Sequence, residues 1–193
     1  MTRDRSNGWD AVAAGFLAAR TPVGLGVVRR WAASLPPGCA VLDLGAGSGE
    51  PLAAALIAEG FDLHAVDASP AMVAAFRERF PDAAAACEPV EASAFFGRTF
   101  GGILAVGLIF LLPTDVQRDV IARAATALRP GGRLIFSAPS QACSWNDVLT
   151  GRRSVSLGAE RYRDLLVRAG LIPTGEDTDR GGNHYYTALR PSG

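Results

Sequence analysis

The segment VLDLGAGSGE, residues 41–50, most constrains the fold of this chain, because an apolar run leads directly into a loop where glycine alternates with small residues. Glycine has no Cβ, so such a loop after a buried strand lets a ligand or another backbone approach closely. The next segment, residues 51–59, has helical composition and ends at Gly60, a residue type typical of the position after a helix. These residues therefore predict a strand, a glycine-rich turn and a helix in succession.

The same alternation continues along the chain. Apolar runs typical of strands alternate with helical patterns, which predicts an α/β fold with a doubly wound, mostly parallel sheet and helices on both faces. We expect seven strands, of which the last is antiparallel, and a ligand crevice at the carboxyl ends of the parallel strands. The predicted strands begin at Ala40, Phe61, Ala83, Gly101, Arg133, Leu171 and His184.

Several helix ends and turns are marked by local residue chemistry. Ser69 followed by Pro70 is typical of an N-cap and a first helical position. Thr114 and Gln117 have the spacing of a capping box, which predicts that both side chains satisfy the start of the next helix. The RPGG segment, residues 129–132, predicts a turn before the fifth strand.

Composition excludes several function classes. The chain has 19 basic and 19 acidic residues, and this neutral balance argues against a nucleic-acid partner. All basic residues are arginine, which excludes a lysine Schiff base and a P-loop lysine. Cys39, Cys87 and Cys143 are far apart and only two histidines occur, so we expect reduced thiols and no metal site.

The location of the protein is predicted from its apolar segments. The N-terminal residues MTRDRSNGWD contain no apolar signal core, and the longest apolar run, residues 101–112, is too short to span a bilayer. We therefore expect a cytoplasmic protein without a membrane partner, either a monomer or a homodimer.

The glycine spacing separates two nucleotide-like ligands. The dinucleotide fingerprint is G-x-G-x-x-G, and here Gly45 and Gly47 fit, but Glu50 occupies the third glycine position and Gly49 comes one residue early. A pyrophosphate at the start of the following helix would also meet the Glu50 carboxylate, which is unfavourable. The loop therefore favours a ligand without phosphate groups.

The motifs resemble those of one enzyme family. VLDLGAGSG resembles motif I of the class I S-adenosylmethionine-dependent methyltransferases, an acid followed by x-G-x-G-x-G, and HAVDAS resembles their second motif. LRPGGRLIFSAP resembles their fifth-strand region, so the likeness covers residues 40–140. NGWDAVAAGF and AERYRDLLVRAGL are similar to segments of small-molecule members. One departure is Gly101, which stands where the family usually has an aspartate at the start of the fourth strand.

The resemblance implies a cofactor, S-adenosylmethionine, and a set of residues that bind it. Asp43 would hold the ammonium group, Asp67 the ribose hydroxyls, and Ala68 and Met72 the adenine. For the edge of the adenine Glu88 is an alternative to Glu91. Asp43 as a loop cap, Asp67 as a turn residue and Met72 as core remain open. The implied cofactor set is Asp43, Gly45, Ala46, Gly47, Gly49, Asp67, Ala68, Met72, Val90, Glu91, Ala92, Val106 and Gly107.

The same resemblance suggests how one domain, residues 1–193, is organised. We expect a helical lid over residues 1–39 and a cofactor-binding core over residues 40–140. Residues 141–193 would supply a substrate-side insertion and the terminal strands.

The acceptor of the methyl group would be a small molecule held by segments that vary within the family. His184 is a candidate general base, although an edge-strand histidine without a role is as plausible, and His64 inside the second strand is interpreted as structural. Arg152 and Arg153 would hold a carboxylate or form a solvated pair. The acceptor-side candidates are Trp9, Phe16, Arg20, Trp145, His184 and Tyr185.

The expected reaction is direct displacement at the sulfonium methyl. The methyl group is already activated, so alignment and water exclusion can supply the catalysis, and a base is needed only for an acceptor that must lose a proton. Two alternatives stay open: an NAD(P)-linked oxidoreductase, which Glu50 disfavours, and a non-catalytic module that binds S-adenosylmethionine.

Overall fold

The computed structural model describes residues 6–18 and 22–192, the side chains of residues 16–18 excepted. The helices are α1 (Trp9–Ala18), α2 (Leu25–Ala32), α3 (Leu52–Ala58), α4 (Pro70–Arg79), α5 (Thr114–Ala127) and α6 (Ala159–Arg168). The strands are β1 (Ala40–Leu44), β2 (Asp62–Asp67), β3 (Ala84–Cys87), β4 (Phe100–Ala105), β5 (Leu128–Ser137), β6 (Ala142–Asn146), β7 (Arg153–Leu157), β8 (Ile172–Thr178) and β9 (His184–Leu189).

Seven of these strands form one sheet in the order β3-β2-β1-β4-β5-β9-β8. Strands β1 to β5 pair in parallel, whereas β9 runs antiparallel to both β5 and β8. The prediction of a mostly parallel seven-stranded sheet with an antiparallel last strand is therefore confirmed. None of the described helices is long and apolar enough to cross a membrane.

Local boundaries differ from the predictions at two strands. β3 ends at Cys87, before Pro89, whose missing N–H cannot continue a ladder. Residues 129–132, predicted as a turn, are a bulged part of β5, because the pairing with β4 shifts register between Phe100 and Gly102.

The hydrophobic core has one layer on each face of the sheet, because successive strand residues point to opposite faces. In β1, Leu42 and Leu44 face the layer formed with α5 and α6, whereas Val41 faces the layer formed with α2, α3 and α4. In β9, Tyr186 and Tyr185 divide between the same two layers. Asp43 follows the alternation of Val41 and so lies on the α2–α3 side, where it is buried.

The predicted N-terminal lid divides into two parts, and α2 belongs to the core. Its Trp31 packs closely on β4, where a Cβ added to Gly102 would lie 3.0 Å from the indole and 2.6 Å from Leu35. The adjacent Gly101, where the resembling family has an aspartate, is equally confined, since an added Cβ would lie 2.7 Å from Cys39 Sγ. The two glycines let α2 and the start of β1 approach β4, which is why α2 is a buried layer.

The segment around the start of α1 crosses the carboxyl edge of the sheet. Asp10 Oδ1 accepts hydrogen bonds from Ser69 Oγ at 2.6 Å and from Ala71 N at 2.9 Å, at the beginning of α4. At the other side, Asn7 Nδ2 donates to the carbonyl of Leu111 at 3.3 Å. This part of the predicted lid therefore bridges the loops that follow β2 and β4.

A β-hairpin formed by β6 and β7 was not predicted. The two strands pair antiparallel, and their turn is closed by Asp147 Oδ1, which accepts from Leu149 N at 3.0 Å and Thr150 N at 2.8 Å. Its inward residues include Ser154 and Ser156, both buried. Because serines occupy buried positions, the alternation of apolar residues that marks a strand is missing from the sequence.

The predicted capping box at α5 is wrong. Thr114 makes no capping bond, and Gln117 is fully buried instead of reaching back over the helix start. Its Nε2 donates to the carbonyls of Leu112 and Val155, both at 2.9 Å, and its Oε1 accepts from Tyr162 at 2.8 Å. Gln117 thus joins α5 to α6, to β7 and to the turn before α5.

We predict that Gln117→Leu destabilises the protein, because it leaves two carbonyls and the Tyr162 hydroxyl buried without this partner. A buried polar group without its hydrogen bond costs about 1–3 kcal/mol, so the free energy of unfolding from urea titration should fall by at least that amount. Thr114→Ala is the matched control on the same helix and should stay within about 0.5 kcal/mol of wild type. A larger decrease in the free energy of unfolding for Thr114→Ala would instead indicate that the Thr114 side chain caps α5.

Candidate ligand site

A cavity of about 760 Å³ opens at the carboxyl ends of β1, β2 and β4. This volume is within the range of about 300–1,000 Å³ that is usual for ligand pockets, and the position is the one expected for a doubly wound sheet. The residues that line it are Ser6, Asn7, Trp9, Gly45, Gly47, Val66, Asp67, Ala68, Met72, Pro89, Val90, Glu91, Ala92, Val106, Gly107, Leu108, Leu111, Leu112, Pro113, Arg152, Arg153 and Val155.

The three glycines of the loop after β1 have different tasks. All three have positive φ, at 72° for Gly45, 58° for Gly47 and 84° for Gly49, which favours glycine at each position. Gly45 and Gly47 line the cavity, whereas Gly49 does not. A Cβ at Gly49 would lie 2.6 Å from Phe80 and 2.9 Å from Phe76, so this glycine lets α4 pack against the loop.

Asp67, the last residue of β2, connects the glycine loop with the start of α4. Its Oδ2 accepts a hydrogen bond from Gly47 N at 2.8 Å, and its Oδ1 accepts from Ser69 N at 2.8 Å. Ser69 caps α4 as predicted, because its Oγ accepts from Met72 N at 3.2 Å. The carboxylate therefore lies in the wall of the cavity with its orientation fixed by two backbone donors.

The wall after β3 contains Val90, Glu91 and Ala92, which all line the cavity. Glu88, the alternative to Glu91 in the sequence, does not line it, and its backbone N–H donates to the carbonyl of Asp67 at 3.0 Å. Between the two acids, the structure thus places Glu91 at the cavity.

Arg123 of α5 holds this wall from outside the cavity. Its guanidinium donates to the carbonyls of Val90 and Glu91, both at 2.9 Å, and to that of Ser93. It also lies over the ring of Phe95, 4.6 Å from the ring centroid. Phe95 and Phe96 both have positive φ, an arrangement that costs non-glycine residues about 1–3 kcal/mol each, so the loop needs support from its surroundings.

The residues that follow β4 in the sequence form the remaining wall of the cavity. Val106 and Gly107 line the cavity as predicted, and Gly107 N donates to Ser137 Oγ at 2.8 Å. Sequence reasoning missed the apolar residues that come next, Leu108, Leu111, Leu112 and Pro113. The signal for them was the length of the apolar run, which continues well past the end of a buried strand.

Three residues of the predicted cofactor set lie behind the cavity wall. Asp43 and Ala46 are buried and, like Gly49, are absent from the lining. Asp43 faces the α2–α3 layer because of the strand alternation described above, and Ala46 N bonds to the carbonyl of Val66 at 3.3 Å. The prediction that Asp43, Ala46 and Gly49 bind the cofactor stays a prediction.

The far end of the cavity is closed by the hairpin and the N-terminal segment. Trp9 lines it as predicted, together with Arg152, Arg153 and Val155 of the hairpin. The two parts touch, since a Cβ added to Gly8 would lie 3.3 Å from Thr150.

Three residues predicted on the acceptor side, Trp145, Tyr185 and His184, are not among the residues that line this cavity, and their contact with an acceptor stays a prediction. Trp145 packs on Phe110 with ring centroids 5.5 Å apart. Tyr185 is buried in the α2–α3 layer and donates to Asp179 at 2.7 Å, and burial raises the pKa of its hydroxyl. Arg20 and the side chain of Phe16 lie outside the described residues.

His184 is part of an ionic cluster on β8 and β9, away from the cavity. Its Nε2 lies 2.7 Å from Glu176 Oε2, and Arg163 of α6 bonds to the other carboxylate oxygen. The hydrogen bond from Arg163 holds the pKa of the Glu176 carboxyl below its ordinary value. His64, by contrast, is buried in β2 as predicted and contacts Arg98 at 2.8 Å.

Glu50 does not line the cavity either. It forms an ion pair with Arg79 at 3.3 Å, so part of its negative charge is balanced by α4. Repulsion between Glu50 and a phosphate group is therefore weaker in the folded protein than the sequence suggested. The argument from the spacing of the glycines is unaffected. Among the described residues, no group of three His, Cys, Asp or Glu side chains has the arrangement of a metal site.

The strand order, the antiparallel last strand and the glycine loop facing a cavity define a Rossmann-like methyltransferase fold. Residues 41–132 match the family model described as a methyltransferase domain. The fold is therefore that of the class I methyltransferases, and the family model supports the same assignment over residues 41–132. None of the curated protein sequences matches the chain significantly.

Solved structures share the fold at low sequence identity. The 1,6-didemethyltoxoflavin-N1-methyltransferase of Burkholderia thailandensis, with 1,6-didemethyltoxoflavin and S-adenosylhomocysteine bound, is 21% identical with a TM-score of 0.78, over 97% of this chain and 87% of that one. The CcbJ methyltransferase of Streptomyces caelestis is 17% identical with a TM-score of 0.79, over 97% and 98%. CalS10, an amino pentose methyltransferase from Micromonospora echinaspora with S-adenosylmethionine bound, is 19% identical with a TM-score of 0.67, over 97% and 94%.

We predict that Arg123→Met loosens the wall after β3. The change removes three charge-assisted hydrogen bonds and a cation–π contact, and one hydrogen bond to a charged group is typically worth about 1.5–3 kcal/mol. Hydrogen exchange of a peptide covering residues 88–97 should become faster. Arg118→Met, an exposed arginine on the same helix, is the control and should leave that exchange unchanged. Equal rates of hydrogen exchange in both variants would contradict the conclusion that Arg123 holds the wall after β3.

We also predict a pH-dependent contribution from Glu176. Its folded pKa is below the unfolded value of about 4.3, so its stabilising effect is present above that pH and is lost as pH falls through the folded pKa. The Tm difference between wild type and Glu176→Gln should become smaller as pH falls from about 5.5 into acid and disappear there. A difference that persists unchanged at pH 3 would show that the carboxylate charge is not the cause.

Proposed function

We propose that the protein transfers the methyl group of S-adenosylmethionine to a small-molecule acceptor by direct displacement at the sulfonium methyl. One observation carries this proposal: the Asp67 carboxylate and the backbone of Gly45 and Gly47 share one cavity, which continues past Gly107 to the hairpin. The cavity thus offers a site for a ribose-containing cofactor and, beside it, room for a second molecule.

The residues present fit S-adenosylmethionine. Asp67 would accept hydrogen bonds from the ribose hydroxyls, as the acid after the second strand of dinucleotide enzymes does. Gly45 is confined, since an added Cβ would lie 3.1 Å from Leu108, so the missing side chain keeps this backbone open to the cofactor. Ala68, the buried Met72 and Val90 supply apolar surface for an adenine. Asp43, buried near the loop, would hold the ammonium group directly or through water.

The described residues of the cavity wall suit a reaction that needs positioning more than proton transfer. When bound, the cofactor supplies a methyl group already activated by the sulfonium charge. Leu108, Leu111, Leu112 and Val155 exclude water from the adjoining space, which favours alignment of two reactants at short distance. Among the described residues that line the cavity there is no histidine, cysteine or tyrosine, and the acids among them, Asp67 and Glu91, are on the cofactor side.

The proposal extends to the partners and location of the protein. The acceptor is a small molecule and not a nucleic acid, which agrees with the equal numbers of acidic and basic residues. The protein acts as a monomer or homodimer in the cytoplasm. The relatives from Burkholderia and Micromonospora, which methylate 1,6-didemethyltoxoflavin and an amino pentose, support a small acceptor.

We predict that S-adenosylhomocysteine binds the wild-type protein and that Asp67→Ala binds it at least about tenfold more weakly. Hydrogen bonds to a charged group are worth about 1.5–3 kcal/mol, and about 1.4 kcal/mol corresponds to tenfold in affinity. The measurement is isothermal titration calorimetry on protein whose fold has been checked by circular dichroism. Methyl transfer is then scored by S-adenosylhomocysteine release over a panel of small acceptors.

Two controls protect this test. Asp67→Asn keeps one acceptor oxygen for Gly47 or Ser69 and so separates ribose binding from loop stability, and Asp82→Ala removes an exposed carboxylate elsewhere. Binding of NADH in place of S-adenosylhomocysteine would favour the oxidoreductase alternative. Binding without turnover of any acceptor would favour the non-catalytic module.

A further inference from the structure

Two adjacent cations, Arg152 and Arg153, line the far end of the cavity at the start of β7. Neither forms an ion pair with any described residue, although the arginines at positions 29, 30, 79, 98 and 163 each pair with a carboxylate. Both side chains are exposed to solvent, and two cations in one cavity wall without a carboxylate partner favour an anionic ligand beside them.

The hairpin itself does not neutralise this pair. The acid closest in sequence is Asp147. Its Oδ1 already accepts hydrogen bonds within the turn, from Leu149 N, Thr150 N and Thr150 Oγ1. The acids in the cavity wall are Asp67 and Glu91, which belong to the loops after β2 and β3. Charge is therefore distributed along the described cavity wall, with carboxylates on the cofactor side and cations on the hairpin side.

The backbone that carries the two arginines is firmly held. The carbonyl of Arg152 accepts from Asp147 N at 2.7 Å, and Arg153 donates across the hairpin to Ser144 Oγ at 3.2 Å. Two residues further along β7, the Val155 carbonyl accepts from the buried Gln117. A rigid support of this kind lowers the entropy lost when the guanidinium groups bind a ligand.

The N-terminal segment lies next to Arg152. A Cβ added to Gly8 would lie 3.6 Å from Cγ of Arg152, so the aliphatic part of this side chain packs near the segment that contains Trp9. The wall between the arginines and Gly107 is apolar and consists of Leu108, Leu111, Leu112, Pro113 and Val155. The space thus has a cationic end, an apolar middle and, on the proposed function, a methyl donor at the other end.

We infer that the methyl acceptor is an amphipathic molecule with a carboxylate or phosphate group, and that Arg152 and Arg153 hold this group. Guanidinium forks bind both oxyanions through paired, charge-assisted hydrogen bonds. The anchored anion directs the apolar body of the acceptor along the leucine wall and presents its nucleophilic atom beside Gly107. This inference rests on the proposed function for its chemistry, but the anion site can be measured without the cofactor.

The test compares three aryl probes that differ in one group: benzoate, phenyl phosphate and neutral benzamide. Each is titrated by ligand-observed NMR into wild type, with and without saturating S-adenosylhomocysteine. We expect benzoate or phenyl phosphate to bind at least about tenfold more tightly than benzamide, with an affinity that falls as salt rises. The stronger of the two anions identifies the group carried by the acceptor.

The variant Arg152→Gln/Arg153→Gln should remove the preference for the anion and leave the affinity for S-adenosylhomocysteine unchanged. The matched control is Arg161→Gln/Arg168→Gln, which deletes the same number of charges from α6, at positions outside the cavity wall, and should keep the preference. Equal binding of anions and benzamide, no binding of either anion, or the same loss in the control would each overturn the inference. Failure of wild type to bind S-adenosylhomocysteine would instead refute the proposed function, because the anion comparison is also made without it.

Discussion

The carboxylate of Asp67 is the contact on which the rest of the site depends. It accepts from the backbone of Gly47 on one side and of Ser69 on the other, so it joins the loop after β1 to the start of α4. Ser69 in turn donates to Asp10, which fixes the beginning of α1 over the same edge of the sheet. A single acidic side chain thus sets the spacing of the loops that surround the cavity, before any ligand is considered.

Other walls of the cavity are positioned by residues that do not line it. Arg123 holds the loop after β3 through backbone carbonyls, and Gln117 holds Leu112 and Val155 through theirs. Both extend from α5, which packs on the face of the sheet opposite α2. Because they bind carbonyl groups, they fix where the wall lies without dictating which side chains face the ligand. Such an arrangement lets the acceptor-side residues vary while the backbone of the site stays in place.

The predictions succeeded where local chemistry determined position and failed where it depended on distant partners. Gly45, Gly47, Asp67 and the residues after β3 reach the cavity because the carboxyl ends of parallel strands meet at one edge. Tyr185 is buried in the core away from the cavity, because helices cover both faces of β9, and the capping box at Gln117 failed because burial against Tyr162 outweighed a local bond.

The sequence by itself determined the α/β class, the mostly parallel sheet with its antiparallel last strand and the place of the glycine loop, because each follows from patterns only a few residues long. It also indicated Asp67, because the HAVDAS segment resembles the second motif of the family and Asp67 ends the second strand. Only the tertiary structure decided which face of each strand opens to the cavity, that residues 142–157 form a hairpin, and that Arg152 and Arg153 line one cavity with the loop after β4. The hairpin and the loop after β4 are well separated in the sequence, and no short pattern specifies that they share one wall.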